Sequence, residues 1–523
     1  MPIPKEILAV KRPANTVVTV YGKNKDQYGV RQRTGCKYEN GKRIPVTGPT
    51  IGHIVNGEYV PIPTQELLDI SSMSIELKDW ASVIYCDSLF KDIMNELLAV
   101  YTKDDAEKIY CISILRVCEP GIKNSGLKDA YDSSFLSEIY PKVALSKNTV
   151  STFLNNLGKA ASHIVTFMKN RAATVAIDHH LLIDGTLKSN ESIVNSLSNF
   201  SRKARVKGSR DISVLFAFDL EKMEPICSKC FPGNMLDSTA YEEFLTENNI
   251  TSGLVVGDKG FPESAAHVYF TNNPNLHYLN PIKRNSKVIK RHNMLEFTGI
   301  LLGYEGITYR KEKCVGTDKW LYSYRDSYQA AQEEKDWLSK VKANNTYDLE
   351  TLKKRQETFG TIVLESDLDL TAEEVYKAYE KRWEIELVMR YYKSACEFDE
   401  TRVHDDYSVI GSEFCDFLST VLTFRLINSF DKANLLEKNT YKKLLSTLIR
   451  AKKIKIDGEW KLIKMNPSQI IILEEIGLLP KEEIEKQENK KGRPIGESAI
   501  ERPTHLIKRK PGRPAGSKNK NKQ

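Results

Sequence analysis

The chain has 523 residues, too many for one compact core, and its 41% hydrophobic and 28% charged residues are typical of a globular protein. No apolar run reaches the roughly 18–20 residues that span a bilayer, and the start lacks a signal-peptide core, so we expect a cytoplasmic protein with no membrane partner. Nine scattered cysteines argue against a disulfide framework.

The net charge of +8 is concentrated at the C-terminus. Residues 487–523 hold eleven Lys or Arg and three Glu, so they account for the whole excess, and residues 1–486 are balanced. Tails of this kind bind nucleic acid or are simply solvated. We therefore expect a neutral globular body followed by a basic tail.

The first 172 residues divide into a β-rich part and a helical part. Turn signals among Val, Thr and Tyr predict strands and hairpins over 1–65. Residues 66–172 show helical apolar spacing instead. Within them, Ser146 precedes a short amphipathic segment. This segment is similar to the second helix of a helix-turn-helix and also to an ordinary capped core helix, so DNA contact by 66–172 is one of two interpretations.

Strand and helix alternate over residues 173–274, which predicts an α/β fold. Three β-branched or apolar runs predict strands, namely Thr174–Ile183, Ile212–Phe218 and Gly253–Val256. Residues 275–365 contain short predicted strands and a charged helix, and we expect them to form a β-rich insertion. A long helix is predicted over Thr371–Cys396, and further helices follow it.

Two aspartates stand beside a glycine at the ends of predicted strands. Asp184 follows Ile183, and Asp258 follows the run that ends at Val256. Acidic side chains at strand ends face the crevice of an open α/β sheet, and glycine lets a phosphate approach the backbone. Two such carboxylates with a third could hold two Mg²⁺ ions. Taken singly, each aspartate is more typical of a residue that caps a turn.

Other groups are alternative metal ligands in the same region. The run Asp178-His179-His180 lies six residues before Asp184, and Asp219 ends another predicted strand. We favour Asp184 because a glycine and a threonine follow it.

The predicted helix Thr371–Cys396 carries a polar stripe. Four residues at offsets 0, 3, 7 and 14 fall within an arc of about 60°, namely Tyr379, Arg382, Glu386 and Lys393. A carboxylate between cations suits a metal ion beside a phosphodiester, with Glu386 on the metal and Arg382 and Lys393 at phosphate oxygens. An ordinary surface helix is the alternative, since Arg382 and Glu386 are spaced for an i,i+4 pair.

This spacing resembles the Tyr-Arg-Glu-Lys signature of a group of bacterial insertion-sequence transposases of the DDE (Asp-Asp-Glu) type. The resemblance covers about residues 173–430 and includes further blocks in the same order, namely Asp184-Gly185-Thr186, Pro232-Gly233-Asn234 with Asp237, Asp258-Lys259-Gly260-Phe261 and Val403-His404. Lys259 stands where many relatives carry Arg, so the charge is kept but a bidentate phosphate contact is not.

The resemblance implies a ribonuclease-H-like catalytic core interrupted by the insertion. It implies that the catalytic and metal-binding residues are Asp184, Asp258 and Glu386, with two Mg²⁺ ions for which Mn²⁺ can substitute. The implied contacts to transposon-end DNA are Tyr379, Arg382, Lys393 and Lys259. Some relatives hold a flipped base on a Trp of the insertion, and Trp320 and Trp337 are candidates, although either could be a core residue.

The basic tail contains two Gly-Arg-Pro motifs flanked by Lys or Arg, centred on Arg493 and Arg513. The second resembles the AT-hook, an extended peptide whose Arg enters the narrow minor groove of A·T-rich DNA. A solvated tail that attracts phosphates without sequence preference is the alternative.

Taken together, these features predict an α/β protein with six segments, namely a β-rich N-terminal domain (1–65), a helical region (66–172), a ribonuclease-H-like catalytic domain (173–274 and 366–432), the insertion (275–365), a helical C-terminal region (433–480) and a disordered AT-hook-like tail (481–523). The expected activity is cut-and-paste transposition, in which metal-dependent cleavage at transposon ends frees a 3′-hydroxyl that joins target DNA.

The expected partners are double-stranded DNA, at the transposon ends and the target, and a second copy of the chain on that DNA. We expect the protein to be associated with the bacterial nucleoid. Two alternatives are a catalytically inactive DNA-binding protein derived from a transposase and a nuclease of the same core without strand transfer.

Overall fold

The computed structural model describes nine stretches of the chain: 3–21, 27–39, 42–62, 76–201, 208–258, 261–344, 348–382, 400–456 and 458–480. The chain divides into two units, and the described residues as far as Leu479 belong to the first, whereas the second comprises residues 480–523. Of the second unit, which holds most of the basic tail, only Pro480 is described. Within the described part of the chain, no helix combines the length and apolar character that a membrane span requires.

The N-terminal residues form an antiparallel sheet in the order β1-β2-β3-β4. Its elements are α1 (Lys5–Ala9), β1 (Thr16–Tyr21), β2 (Gln27–Glu39), β3 (Lys42–Val55) and β4 (Glu58–Pro61). Val18 and Val30 are directly paired across β1 and β2, and with Ile54 they form a small buried core. One face of the sheet is therefore apolar, as the β-branched composition of this segment leads one to expect.

Six helices follow in residues 81–172: α2 (Ala81–Leu98), α3 (Lys103–Cys118), α4 (Leu127–Asp132), α5 (Leu136–Ile139), α6 (Lys147–Lys159) and α7 (Ala161–Ala172). Ser146 caps α6, because its hydroxyl accepts a hydrogen bond from the amide of Thr149 at 3.3 Å. α6 packs closely on the later helix α14 (Asp406–Lys432), since a Cβ at Gly158 would lie 1.8 Å from the carbonyl oxygen of Tyr407. One face of α6 is thus a core face, and its opposite face is exposed.

The centre of the molecule is a ten-stranded mixed sheet in the order β12-β13-β14-β15-β11-β10-β6-β8-β7, with β9 paired to β8. Its strands are β6 (His180–Ser189), β7 (Asn199–Phe200), β8 (Arg210–Asp219), β9 (Glu224–Pro232), β10 (Ser252–Val256), β11 (Asn275–Pro281), β12 (Gly299–Ile300), β13 (Ile307–Lys313), β14 (Trp320–Asp326) and β15 (Thr361–Ser366). β10 is parallel to β6 and β11, and the other pairs are antiparallel. The predicted α/β class is confirmed.

Residues 275–365, predicted to be an insertion, contribute five strands to this sheet. β15 pairs with both β11 and β14, so these strands continue the ladder that begins at β6. The connecting helices are α8 (Asp237–Asn248), α9 (His267–Asn272), α10 (Lys287–Arg291), α11 (Ser327–Asn344) and α12 (Leu349–Gln356), with a 3₁₀ turn over Glu263–Ala265. A further helix, α13, is described over 372–382.

A third, three-stranded sheet joins distant parts of the chain. β5 (Glu76–Asp79) pairs with β16 (Lys452–Ile456), which pairs with β17 (Glu459–Leu462). The C-terminal region predicted to be helical therefore contains two strands as well as α15 (Tyr441–Arg450) and α16 (Pro467–Glu475).

Candidate active site

Asp184, in β6, and Asp258, two residues past the end of β10, occupy matched positions relative to two neighbouring parallel strands. The β6–β10 ladder ends with Leu182 opposite Val256, and each aspartate lies two residues further along its chain. Both residues are partly buried, and the Asp258 side chain is 46% exposed. Because adjacent strands lie about 4.8 Å apart, this register places Asp184 and Asp258 at the same edge of the β6–β10 pair.

The predicted end of the first strand was wrong. We predicted that the strand runs from Thr174 to Ile183, whereas β6 begins at His180 and continues to Ser189. Residues 174–179 turn instead, with the amide of His179 donating to the carbonyl of Ala176. Antiparallel pairing with β8 provides hydrogen-bond partners for the backbone of the residues beyond Ile183. Asp184 therefore lies within β6. The parallel neighbour β10 ends at this point, whereas the antiparallel neighbour β8 continues beside β6.

Helix α14 covers the sheet face on which Asp184 lies. Asp184 is paired with Phe216, and paired positions present their side chains on the same face. Phe218, two residues further along β8, packs against Phe424 of α14 with ring centroids 5.4 Å apart. Since strand side chains alternate with a period of two, Asp184, Phe216 and Phe218 share this face.

Helix α13 lies over the neighbouring part of the same face. The register through β11, β15 and β14 places Tyr324 on the same face as Val256. Its ring lies 5.1 Å from that of Tyr376 on α13. Helices α13 and α14 therefore cover one face of the sheet. The sheet edge that carries Asp184 and Asp258 is next to this covered face.

Arg382, on α13, reaches Asp258 directly. Its Nη2 lies 3.3 Å from Oδ1 of Asp258, and its Nη1 donates a 3.1 Å hydrogen bond to the hydroxyl of Tyr379. The guanidinium carbon also lies 5.6 Å from the Tyr379 ring centroid. The structure thus brings together three of the predicted site residues at the end of β10. Predicted site residues outside the described ranges are Lys259, Glu386, Lys393, Arg493 and Arg513.

The backbone before Asp258 is held against a buried asparagine. The amide of Gly257 donates to the carbonyl of Leu279 at 3.0 Å, and the amide of Phe261 donates to the carbonyl of Asp258 at 2.9 Å. A Cβ on Gly257 would lie only 2.2 Å from Oδ1 of Asn280. The Asn280 amide is buried and has no hydrogen-bond partner within the described residues. Sequence reasoning missed Asn280, because only the pairing of β10 with β11 brings it beside Gly257.

A cavity of about 370 Å³ adjoins Asp258 and Arg382. Its lining includes Tyr376 and Tyr379 of α13 and the ion pair of Arg284 with Glu333, whose closest atoms are 2.7 Å apart. Burial raises the pKa of Glu333, but hydrogen bonds from Arg284 and the Gly360 amide outweigh it and hold the pKa below its usual value.

The alternative ligands form a separate cluster at the opposite end of β6. Nδ1 of His179 lies 2.8 Å from Oδ2 of Asp219, and the ligand atoms of His179, Asp219 and Glu221 all lie within 4.8 Å of one another. Glu221 also accepts hydrogen bonds from His180 and Lys381. Burial raises the pKa of Glu221, but the bonds from Lys381 and His180 outweigh it and lower the pKa.

Four buried charges lie next to the strand that carries Asp184. Lys188 is four residues beyond Asp184, on the same face, and it pairs with Glu413 and, at 3.0 Å, with Asp416 of α14. Arg116 of α3 completes the cluster at 2.7 Å from Asp416. Burial raises the pKa of Glu413, whereas Lys188 and Arg116 overcome burial and lower the pKa of Asp416. These contacts tie the helical region to β6.

The two candidate tryptophans have different surroundings. Trp320 is partly buried at the start of β14, with the Lys311 ammonium 4.6 Å from its ring centroid. Its register places it on the same face as Val256. Trp337 packs against the small core of Ala330, Leu352 and Phe359.

Comparison with known families adds direct information on this region. Residues 178–408 match the family model described as Transposase DDE domain. This match supports a DDE-type transposase. It covers less than half of the chain and includes Asp184, Asp258 and the position of Glu386. No sequence among the curated proteins matches the chain.

Among solved structures, one similar chain comes from the cryo-EM structure of a piggyBac transposase synaptic complex with hairpin DNA. The two chains are 12% identical, the alignment covers 71% of this chain and 80% of that one, and the TM-score is 0.37.

Proposed function

We propose that this chain is a DNA transposase with a ribonuclease-H-like core and that Asp184, Asp258 and Glu386 are its catalytic residues. The observation that carries the proposal is the matched placement of Asp184 and Asp258 beyond the paired residues Leu182 and Val256. The DDE-domain match over 178–408 supports the same activity. Glu386 is assigned by the sequence signature alone.

The donor set at this edge fits Mg²⁺. Asp184 and Asp258 offer carboxylate oxygens, which are the ligands that Mg²⁺ prefers, and neither cysteine nor histidine is needed. Asp184 and Asp258 would hold the ions together with Glu386, and Mn²⁺ would substitute. Bound divalent ions supply activation of the attacking oxygen and charge stabilisation of the leaving oxygen.

The chain's own cations would place the DNA. Arg382 already neutralises Asp258 at 3.3 Å, and its planar group can exchange that carboxylate for a phosphate oxygen of similar geometry. Tyr379 holds the guanidinium from the other side. Lys259 and Lys393 are proposed to contact the same transposon end, and Arg493 and Arg513 of the tail to enter the minor groove.

The reaction would proceed in two chemical stages on DNA. Hydrolysis of the phosphodiester at each transposon end frees a 3′-hydroxyl, and this hydroxyl then attacks a phosphodiester of target DNA, with the target 3′-oxygen leaving. Since two ends must be held together, we propose that the chain acts as a homodimer on DNA.

The experiment supplies the purified full-length chain with Mg²⁺, a target plasmid and DNA taken from the boundaries of the region that encodes it. The variants are Asp184→Asn and Asp258→Asn, with Asp318→Asn as the matched control because its side chain is fully exposed in the β13–β14 turn. We expect the parent and the control to cleave and join, and both site variants to bind DNA without cleaving it.

The alternatives are separated by the same assay. Cleavage without joining by the parent would favour a nuclease, and binding without cleavage would favour an inactive DNA-binding protein. Cleavage by Asp258→Asn at the parent rate would remove Asp258 from the site.

A further inference from the structure

Two consecutive residues of α13 are each held by a carboxylate of the central sheet region. Nζ of Lys381 lies 2.7 Å from Oε1 of Glu221, and Nη2 of Arg382 lies 3.3 Å from Oδ1 of Asp258. Glu221 lies in the turn between β8 and β9, whereas Asp258 follows β10. Neighbouring positions on one helix are therefore tied to two different connections of the sheet.

The two attachment points lie at different levels of β6. Glu221 is bonded to His180, the first residue of β6, while Asp258 is level with Asp184. Four strand steps of about 3.3 Å, or about 13 Å in all, separate these levels. Consecutive helix residues point about 100° apart, so the lysine and the arginine can reach in two directions. Two such attachments restrict both rotation of α13 about its axis and sliding along β6.

Glu221 is itself fixed to the sheet by several hydrogen bonds. The amide of His180 donates to Oε2 of Glu221 at 2.6 Å, and Nδ1 of the same histidine lies 2.9 Å from Oε1. The amide of Glu221 donates to Oδ1 of Asp219 at 3.0 Å, and Asp219 is fully buried. Because this carboxylate is preorganised, holding an ammonium group costs it little additional ordering.

The same group of residues has the composition of a metal site, but cations of the chain itself lie there. The ligand atoms of His179, Asp219 and Glu221 lie within 4.8 Å of one another. The ammonium of Lys381 contacts Glu221, and that of Lys222 lies 3.9 Å from Asp219. Glu221 accepts three hydrogen bonds, which occupy most of the roughly four acceptor positions of a carboxylate. The cluster is therefore suited to hold α13.

The contact between Arg382 and Asp258 depends on the orientation of α13. Nη1 of Arg382 donates to the hydroxyl of Tyr379 at 3.1 Å, and Tyr379 lies one turn earlier on the same helix. Both side chains therefore move with α13, and rotation of the helix would carry the guanidinium away from Asp258. A planar guanidinium recognises a phosphate in a defined orientation, and a misplacement of about 1 Å can cost about 10²-fold in rate.

We propose that Glu221 and Lys381 are positioning residues, which hold α13 so that Arg382 meets the phosphodiester beside Asp258. Glu221 holds Lys381, and Lys381 fixes the helix on which Arg382 is the next residue. Neither positioning residue contacts the reacting atoms. This inference rests on the proposed function, since it concerns the cation that would contact the DNA to be cut.

The test compares single-turnover cleavage of boundary DNA in Mg²⁺ with binding of the same DNA, measured by fluorescence anisotropy without added metal. Both measurements use the full-length chain. The variants are Lys381→Met, Lys381→Arg and Glu221→Gln, and the matched control is Lys377→Met, at an exposed position one turn earlier on α13. Melting temperatures verify that each variant folds.

We expect Lys381→Met and Glu221→Gln each to cleave about tenfold more slowly than the parent, with DNA affinity changed less than about threefold. Lys381→Arg should recover most of the rate, because a guanidinium also pairs with a carboxylate. In an Arg382→Ala background, Lys381→Met should slow cleavage no further, since the group that it positions is gone. Lys377→Met should cleave at the parental rate.

A second measurement does not depend on cleavage. Hydrogen exchange followed by mass spectrometry reports how firmly the segment 372–382 is held. Exchange in this segment should be faster in Lys381→Met and Glu221→Gln than in the parent, and unchanged in Lys377→Met. A parent that never cleaves boundary DNA would contradict the proposed function, whereas the exchange rates would still show whether Glu221 holds α13.

Several results would overturn the inference. They are parental cleavage in both Lys381→Met and Glu221→Gln, an equal loss in Lys377→Met, an undiminished effect of Lys381→Met in the Arg382→Ala background, and parental exchange over 372–382 in both variants. Calorimetry with Zn²⁺ alone gives a further test. Binding by the parent that Glu221→Gln removes would identify the cluster as a metal centre instead of an attachment for α13.

Discussion

Nη2 of Arg382 lies 3.3 Å from Oδ1 of Asp258, so an ion pair joins helix α13 to the segment that directly follows β10. The predicted signature residue and the predicted carboxylate are therefore neighbours, although they are 124 positions apart in the numbering of the chain. A cation at this distance holds the Asp258 carboxylate in place and lies where a phosphodiester beside that carboxylate would need a positive charge.

Replacing Arg382 with alanine should reduce DNA cleavage by roughly 10²-fold, because a preorganised cation at the reacting phosphate is lost. Arg382→Lys should recover only part of the rate, since a single ammonium cannot contact Tyr379 and Asp258 in the same geometry. Single-turnover cleavage of boundary DNA measures the effect. Lys377→Ala, an exposed position on the same helix, is the control. Equal rates for Arg382→Ala and this control would argue against the assigned role.

Gly257→Ala should destabilise the protein by about 1–3 kcal/mol and lower cleavage, because the new Cβ would lie 2.2 Å from Oδ1 of Asn280 and must displace it. Asn280→Ala should relieve that clash, so the double variant should be more stable than Gly257→Ala alone. Urea unfolding of the four proteins gives the coupling free energy. Additive effects of the two substitutions would mean that Gly257 and Asn280 do not constrain each other.

Lys188→Met should cost about 3–5 kcal/mol of unfolding free energy, because Glu413 and Asp416 would be left with one buried cation between them. The double variant Lys188→Met with Glu413→Gln removes one charge of each sign and should recover part of the loss. Chemical denaturation reports both values. Lys128→Met, at an exposed pair with Asp132, should change stability little. Lys188→Met as stable as the parent would contradict the interpretation of this cluster.

Much of this architecture is predictable because it is encoded locally. The alternation around Ile212–Phe218 and Gly253–Val256 identifies strands, and the glycine before Asp258 marks that aspartate as a residue that follows a strand end. The end of β6 was not predictable, since pairing with β8 prolongs the strand past Asp184. That pairing depends on a partner more than twenty residues away.

Long-range pairing also accounts for the rest of what the sequence did not reveal. In the sequence, residues 275–365 look like an insertion because their predicted strands are short. In the structure, β15 pairs with β11, and no local sequence pattern encodes this pairing. β5 and β16 pair across more than 350 residues. The environment of Asn280, likewise, depends on the register of β10 and β11.

The most direct test of the central claim is Mn²⁺ binding by the full-length chain, followed by electron paramagnetic resonance with duplex DNA present. The parent and Asp318→Asn, whose carboxylate is fully exposed and remote in sequence, should bind the ion. Asp184→Asn and Asp258→Asn should each lose most of that binding, because each removes a carboxylate ligand from one shared site. Parental Mn²⁺ affinity in both variants would contradict the assignment of a metal site to Asp184 and Asp258.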